Sequence, residues 1–348
     1  MKSEIIGRTD NNEDIHSYTL ENSSGMKVKL SDFGANLMEL WVPDKNEVLA
    51  NIVLGYDSLG ALSELNCFFG AVVAPHANRI GKASFTLDGK TYDLEKNDGN
   101  NNLHSGSIGL QKKIWKIQPD EAENCVTFSI STADGEFGFP GNRQFSIKYS
   151  LTEDHRLILD YSAVTDAVSP FNPTNHTYFN LSGIPGSDIL DHIITINAKS
   201  FTWADKESIP DGTLTDVKGT PMDFRDPHRI GERIEDDYEP LKWAGGYDHN
   251  WVLDHKHGEL SKAATVFDPG SGRKMDVYTD LPGLQFYTGN YIPDGMKGIN
   301  GASYPRRAGL CLETQYFPNA LNVPAFIQPL VYPDAPAKTR TIYAFSAE

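Results

Sequence analysis

The chain alternates short β-prone segments with turn residues along nearly its whole length, and helical periodicity is scarce. Asp88-Gly89, set between two alternating segments, is a strong hairpin signal. Only residues 58–65 and 227–234 have the pattern of short helices. Many short strands without strand–helix alternation predict an all-β protein whose antiparallel sheets pack as a sandwich or barrel. Strands are predicted at residues 17–21, 26–30, 36–42, 85–87, 91–94, 126–131, 145–151, 157–164, 193–196, 251–253, 264–267, 274–279, 283–287, 309–315 and 342–345.

Nothing in the sequence marks a boundary between domains. A length of 348 residues suits one large all-β domain or two ordinary ones. No linker, low-complexity tract or internal repeat divides the chain, and the polar stretch at 97–102 is too short to do so. We therefore expect residues 1–348 to form a single domain.

Charge and cysteine content restrict the partners and the compartment. A formal net charge of −16 argues against nucleic acid or an anionic membrane as a partner and favours a neutral ligand. Three widely spaced cysteines without a CxxC pair indicate a reducing compartment, with neither a disulfide framework nor a zinc site. The N-terminal segment has no apolar run typical of a signal peptide, and no apolar stretch approaches a membrane span. A soluble, cytoplasmic protein is expected.

Residues 172–181 (NPTNHTYFNL) place a histidine between two asparagines and ahead of an aromatic run. The Asn172-Pro173 step favours extended or turn backbone, and residues 177–179 favour a strand. Because an imidazole gives or takes a proton near neutral pH, His176 on a rigid strand among amides is a candidate general acid. The alternative is a buried, hydrogen-bonded structural histidine.

Two polar loops in the first third of the chain offer donors for a polar ligand. Arg79 presents several fixed N–H donors to hydroxyl or carboxylate oxygens, and Asn78 beside it can donate and accept. His104 ends an asparagine-rich loop just before Ser105-Gly106, in a turn that exposes the imidazole. A surface salt bridge for the arginine and an ordinary polar loop for the histidine are the alternatives.

Later strands carry further candidates. Asp248 and Asn250 share one strand face by alternation, where they can bind sugar hydroxyls. Glu313 alternates with apolar residues, so partial desolvation should raise its proton affinity toward that of a general base. An edge-strand glutamate facing water is the alternative. Gln285 could supply another ligand amide, although a structural role is the other interpretation.

A cluster downstream of Asp248 looks like a metal site in composition. Asp254, His255 and His257 lie within four residues, but their spacing fits no recognised zinc motif. A charged hairpin explains them better, and we expect no metal.

Together, several of these segments resemble the aldose 1-epimerase (galactose mutarotase) family. They occur in the family's order and spread over most of the chain. The matching segments are Asn78-Arg79-Ile80, Asn102-Leu103-His104-Ser105-Gly106, Asn172-Pro173-Thr174-Asn175-His176-Thr177-Tyr178-Phe179-Asn180-Leu181, Gly246-Tyr247-Asp248-His249-Asn250 and Glu313-Thr314-Gln315-Tyr316-Phe317-Pro318-Asn319.

The resemblance implies a large antiparallel β-sandwich of the galactose mutarotase-like (supersandwich) type with a few short helices. It also implies interconversion of the α and β anomers of a free hexose, such as galactose or glucose, without a cofactor or metal. Carried over by motif, Glu313 is the general base and His176 the general acid. The residues that hold the sugar are then Asn78, Arg79, His104, Asp248 and Gln285.

The chain departs from the family pattern at Pro75-His76, Ser105 and Tyr316. These departures leave the preferred sugar open, a disaccharide included, and the sequence leaves open a monomer or a homodimer. One alternative function is a non-catalytic carbohydrate-binding or sugar-sensing protein on the same fold. Another is a glycoside hydrolase that uses two carboxylates such as Asp248 and Glu313.

Overall fold

A computed structural model describes residues 2–9, 11–56, 58 and 67–348 of the chain. Within them, the α-helix α1 spans Glu239–Ala244, and short 3-10 turns lie at Gly81–Ala83, Leu110–Lys112, Glu136–Gly138, Ile230–Glu232, Ile299–Gly301 and Ala320–Asn322. The strands are β1 (Lys2–Arg8), β2 (Asp14–Glu21), β3 (Lys27–Ser31), β4 (Asn36–Pro43), β5 (Leu49–Asn51), β6 (Val72–Val73), β7 (Arg79–Ile80), β8 (Ser84–Leu87), β9 (Lys90–Asp93), β10 (Asn102–Leu103), β11 (Lys116–Asp120), β12 (Cys125–Thr132), β13 (Arg143–Leu151), β14 (Arg156–Thr165), β15 (Ser169–Pro170), β16 (Thr174–Asn175), β17 (Ile193–Ile196), β18 (Ala198–Ala204), β19 (Pro210–Asp216), β20 (His228–Arg229), β21 (Asp248–Leu253), β22 (Ser261–Phe267), β23 (Arg273–Thr279), β24 (Gly283–Tyr287), β25 (Met296–Lys297), β26 (Ser303–Tyr304), β27 (Cys311–Gln315), β28 (Leu330–Val331) and β29 (Ala337–Ala347).

Three large antiparallel sheets make up the architecture. One has nine strands in the order β11-β12-β13-β14-β29-β23-β22-β17-β20, a second runs β1 to β5 in sequence, and a third has the order β19-β18-β21-β24-β27. A shared hydrophobic core includes Leu30 from the second sheet, Ile147 from the first and Phe286 from the third. The layered, antiparallel β-sandwich expected from the sequence is confirmed.

Local sequence signals located most strands correctly. The Asp88-Gly89 hairpin forms with Phe85 opposite Tyr92, and the hairpin of β2 and β3 pairs Ser17 with Ser31. Residues 193–196 and 283–287 are strands with the predicted bounds. Residues 193–196 alternate between buried and half-buried positions, whereas residues 283–287 are buried throughout.

Neither of the two helices predicted from the sequence is found in the described residues. Residues 59–65 of the first lie outside the described part of the chain. The second, at 227–234, is wrong: His228 and Arg229 pair with β17 at the edge of the nine-stranded sheet, and only one 3-10 turn follows. Strand pairing here overrides the local helical pattern.

Some elements gave too little local signal to be predicted. Helix α1 is only six residues long, shorter than the window in which helical periodicity shows. Strand β19 contains Pro210, Gly212 and two aspartates, and it forms as an edge strand beside β18.

No helix in the described ranges is long and apolar enough to cross a membrane.

The register of the third sheet sets up the candidate site. Asn250 on β21 lies opposite Gln285 on β24, which in turn lies opposite Glu313 on β27. Asp248 lies opposite Tyr287, two residues away along the same strand face. Because positions two apart on a strand point to the same side, one face of this sheet gathers carboxylates and amides from three strands.

Candidate active site

The sheet face carries two carboxylates and an amide that lies between them in strand order. Gln285 Nε2 donates to Asp248 Oδ1 at 2.7 Å, which fixes both side chains. Glu313 is 2% exposed, and its Oε2 has no hydrogen-bond partner within the described residues. An unpartnered carboxylate oxygen in a dry site is free to accept from a ligand hydroxyl.

His176 faces this carboxylate from a different part of the chain. Its Nε2 lies 3.7 Å from Glu313 Oε1, and its Nδ1 lies 3.5 Å from Cys311 Sγ. The backbone at His176 is fixed by hydrogen bonds of its N–H to Ala71 and of its carbonyl to the N–H of Gly70. The two side chains are therefore held within reach of one small molecule.

The strand predicted at residues 177–179 is wrong. Only the preceding pair, Thr174–Asn175, forms a two-residue strand against β6, and Phe179 makes isolated bridges to Val53 and Leu310. The Asn175 side chain donates to the Gly70 carbonyl and to the Tyr149 hydroxyl. These side-chain bonds, the backbone bonds of His176 and burial hold this segment without a longer strand.

His104 and Asn78 meet where β10 pairs with β7. The His104 N–H donates to the Asn78 carbonyl, and the Asn78 N–H donates to His104 Nδ1, both at 3.2 Å. Both residues adopt left-handed backbone, with φ of 52° at His104 and 62° at Asn78. Because Nδ1 accepts a hydrogen bond, the proton of the neutral imidazole lies on Nε2.

Arg79 supplies the positive charge of the site. Its Nε donates to Asp98 Oδ2 at 2.8 Å, and the carboxylate of Asp248 also stabilises its charge. The side chain of Arg79 is 14% exposed. A largely buried guanidinium between two carboxylates is well placed to bind hydroxyl oxygens.

All seven site residues predicted from the sequence line one cavity of about 150 Å³. That volume is below the roughly 300–1,000 Å³ typical of pockets for drug-sized ligands, which suits a ligand as small as one sugar ring. The departures at His76, Ser105 and Tyr316 are not among the described residues that line it. The lining comprises Asn78, Arg79, His104, His176, Asp248, Gln285 and Glu313 together with Cys67, Phe68, Leu103, Tyr178, Tyr287, Tyr291 and Ile292.

Burial dominates the proton affinities in the cavity. It raises the pKa of Glu313 well above its usual value, the negative charge of Asp248 adds to this, and Arg79 opposes it. Burial lowers the pKa of His176 to about 4, and it also lowers the pKa of His104. Burial raises the pKa of Asp248, against the effects of Arg79 and Gln285. Burial therefore favours the neutral form of both members of the pair, which places a proton-bearing carboxyl beside an imidazole that can accept a proton.

Candidate metal ligands also converge here. Ligand atoms of His104, His176 and Glu313 all lie within 4.8 Å of one another, and the described residues contain no other such group. Metal-bound histidines usually donate their second N–H to an oxygen acceptor. His104 does the reverse, since its Nδ1 accepts the Asn78 N–H and its Nε2 holds the proton. The site fits a sugar hydroxyl better than a metal ion.

The cluster downstream of Asp248 does not join this site. His257 Nε2 lies 3.3 Å from the Tyr316 hydroxyl, and neither residue lines the cavity. Ser105 and His76, two of the departures from the family pattern, contact each other. The Ser105 hydroxyl donates to the His76 carbonyl and accepts the His76 N–H, each at 2.9 Å.

Two residues that shape the site, Phe68 and Gln315, are not among the site residues predicted from the sequence. Phe68 stacks on His176 at a centroid distance of 5.6 Å and leans on His104 at 4.8 Å. Gln315 lies behind the cavity, where it donates to Asn250 and Gln285 and accepts from Asn78 at 3.3–3.4 Å. Alternation from Glu313 could have indicated Gln315, whereas only the fold brings Phe68 to the imidazoles.

Comparison with known proteins gives a consistent result. A family model described as aldose 1-epimerase matches residues 16–344. The galactose mutarotase of Bos taurus is 39% identical over 324 residues, which cover 93% of this chain and 92% of that protein. The aldose 1-epimerase of Escherichia coli K12 is 36% identical over 334 residues, 95% of each. The crystal structure of galactose 1-epimerase from Lactobacillus acidophilus superposes with a TM-score of 0.86 at 28% identity, covering 99% of this chain and 98% of that one.

Proposed function

The chain belongs to the aldose 1-epimerase family, and from this premise we propose that it is an isomerase that interconverts the α and β anomers of a free hexose such as galactose or glucose. The observation that carries the proposal is the Glu313–His176 pair, whose facing atoms lie 3.7 Å apart at a cavity of about 150 Å³. Five donors and acceptors surround that pair, as recognition of several sugar hydroxyls requires.

The proposed reaction is a ring opening and reclosure. Glu313 takes the proton of the C1 hydroxyl while His176 gives a proton to the ring oxygen, so the C1–O5 bond breaks and an aldehyde forms. Rotation about C1–C2 presents the other face of the carbonyl, and closure returns both protons. Each proton transfer by a positioned group contributes a factor of roughly 10²–10⁴. Electrons and atoms balance within the sugar and the pair, so the proposal includes no cofactor.

The proton inventory of the pair supports these roles. Burial favours the protonated form of Glu313 and the neutral form of His176. A bound sugar would donate its C1 hydroxyl to the carboxylate and accept at its ring oxygen from the imidazolium. Hydrogen bonds to the charged forms favour those forms, so substrate binding shifts the proton to His176 and prepares ring opening.

The other five predicted residues would hold the sugar. Arg79 and the Nε2–H of His104 donate toward the ring oxygen and neighbouring hydroxyls. Asp248 accepts from hydroxyls in charge-assisted hydrogen bonds, while Asn78 and Gln285 contribute amides. Such fixed contacts place C1 and the ring oxygen between the acid and the base.

We extend the proposal to the setting of the protein. We propose one domain over residues 1–348, supported by a core cluster with members from Leu20 to Phe345. We propose a cytoplasmic monomer or homodimer that needs neither nucleic acid nor a membrane. The free state of Cys67, Cys125 and Cys311 and the net charge of −16 support this.

Polarimetry tests the proposed activity directly. Freshly dissolved α-D-galactose or α-D-glucose should reach anomeric equilibrium faster with the protein than without it. Glu313→Gln and His176→Ala should each lower kcat by at least 10², because each removes one proton-transfer group. The matched control is His228→Ala, which changes a half-buried histidine that is not among the described residues lining the cavity.

Two results would contradict the proposal. A wild-type protein that binds hexose in a calorimeter without accelerating mutarotation would be a binding protein. Release of reducing sugar from a methyl glycoside would indicate hydrolysis, because a glycoside has no free C1 hydroxyl for an epimerase to deprotonate.

A further inference from the structure

The asparagine-rich loop that carries His104 also carries the carboxylate of Asp98. Asp98 Oδ2 accepts from Arg79 Nε at 2.8 Å, and the two side chains are 37% and 14% exposed. Asp98 is not among the described residues that line the cavity. Among the described residues, the cavity-lining side chain that hydrogen-bonds to the Asp98 carboxylate is Arg79.

The loop is held so that Asp98 has a defined position. The Asn97 side chain clamps Leu103, accepting its N–H and donating to its carbonyl, both at 2.9 Å. Asp98 and Asn101 exchange backbone hydrogen bonds across a tight turn, at 3.2 and 2.9 Å. These bonds involve the main chain of Asp98, so its carboxylate remains free to pair with Arg79.

The N–H donors of the Arg79 guanidinium differ in their partners. Nε is used by Asp98, and the described residues include no hydrogen-bond acceptor for Nη1 or Nη2. A second carboxylate competes for the guanidinium, because Asp248 lines the same cavity and stabilises the charge of Arg79. A guanidinium released from Asp98 would turn toward Asp248 and occupy the space that sugar hydroxyls need.

We infer that Asp98 is a positioning residue for sugar binding: it holds Arg79 by Nε, so that Nη1 and Nη2 face the substrate and Arg79 does not close onto Asp248. The inference deepens and rests on the proposed function, because it presumes that Arg79 binds the sugar. Asp98 is therefore expected to affect substrate affinity and not the proton transfers, because Glu313 and His176 carry those out.

Steady-state kinetics on D-galactose and D-glucose test the inference. A hydrogen bond to a charged group is stronger than one between neutral groups, so Asp98→Ala should raise KM about tenfold and leave kcat within about twofold. Asp98→Asn, which keeps an acceptor oxygen but loses the charge, should raise KM less, and Asp98→Glu should restore most of the affinity. Asp88→Asn, which removes an exposed carboxylate from the neighbouring hairpin, is the control and should change neither constant.

A double-mutant cycle separates action through Arg79 from a general effect of the loop. Arg79→Ala should raise KM more than Asp98→Ala does, and adding Asp98→Ala to Arg79→Ala should raise it no further. Equal effects of Asp98→Ala in the presence and absence of Arg79 would overturn the inference. So would a fall in kcat with unchanged KM, or an unchanged KM in Asp98→Ala.

Calorimetric binding distinguishes failure of this inference from failure of the proposed function. Weaker hexose binding by Asp98→Ala in a protein without mutarotase activity would support the role of Asp98 and refute the activity. Mutarotase activity with hexose binding unaffected by Asp98→Ala would refute the role of Asp98 alone. Thermal unfolding of each variant checks that the fold is intact.

Discussion

Asn78 and His104 are joined by two hydrogen bonds of 3.2 Å: the Asn78 N–H donates to His104 Nδ1, and the backbone N–H of His104 donates to the Asn78 carbonyl. This pair decides the chemistry of His104. Because Nδ1 accepts, Nε2 of the neutral ring is a donor, and burial lowers the pKa of the ring so that it stays neutral. His104 is thereby suited to donate a hydrogen bond to a sugar oxygen that gains negative charge.

Removal of this donor gives the first prediction. His104→Ala should lower kcat/KM for D-galactose by about 10²–10³, the loss typical of a missing donor to a developing negative charge. Stopped-flow or polarimetric rates measure the effect, and His228→Ala, at the edge of the nine-stranded sheet, should have no effect. Full activity in His104→Ala would show that the sugar is held without this imidazole.

The pH dependence of the rate follows from the shared proton. Below pH 4 both His176 and Glu313 are protonated and no base remains, whereas above the raised pKa of Glu313 neither holds a proton and no acid remains. The profile of kcat/KM should therefore be bell-shaped, with an acid limb near pH 4 that belongs to the pair as a whole. In Glu313→Gln the residual rate should lose the acid limb, because no carboxylate base remains to be protonated. A profile that stays flat from pH 3 to pH 10 would rule out this pair as the acid and base.

Buried neutral histidines should make the fold sensitive to acid. Burial lowers the pKa of His192 to about 4, and its Nε2 accepts the Leu181 N–H at 2.9 Å. The unfolded chain binds this proton near pH 6.5, so between pH 6.5 and 4 it holds more protons and stability rises with pH. A shift of this size corresponds to about 3 kcal/mol that is lost as the pH falls through the window.

Denaturant unfolding at pH 4.5 and pH 7 measures that effect. The variant His192→Asn keeps a hydrogen-bond acceptor but does not titrate. Its free energy of unfolding should change less steeply with pH than that of the wild type, by a slope that corresponds to at most one bound proton. An unchanged slope in this variant would mean that His192 is not the group that titrates.

A buried arginine should matter for stability and not for turnover. Arg273 is 2% exposed and donates to carbonyls of Val42, Val48, Leu181 and Ser182, which ties β23 to the five-stranded sheet β1 to β5 and to the chain just after residues 172–180. Arg273→Met leaves these carbonyls without their donor, and we expect a loss of about 3 kcal/mol or more in the free energy of unfolding. Measured below the unfolding transition, kcat and KM should stay within twofold of the wild type. A variant as stable as the wild type would show that water replaces the guanidinium.

The sequence predicted best where a local pattern had a single structural solution. Alternation in the segments around Gln285 and Glu313 set both the strands and the shared face, and the motifs around Asn78 and His104 named residues that the fold brings to one cavity. Prediction failed where the cause is not local. The edge pairing of His228 cancels a helical pattern, and after His176 only isolated bridges of Phe179 to the distant residues Val53 and Leu310 form in place of a strand. No spacing rule relates Phe68 to imidazoles that lie 36 and 108 residues further along the chain.

The alignment of Asn250, Gln285 and Glu313 across three strands restricts how this protein can change. A one-residue insertion upstream within β27 would turn every following side chain to the opposite face, so a leucine would enter the cavity and the Glu313 carboxylate would enter the apolar core. Changes of length can therefore accumulate in the connections, such as the exposed turn after β8, while β21, β24 and β27 must keep their lengths. The lengths of these three strands are therefore as necessary to the site as the residues that line it.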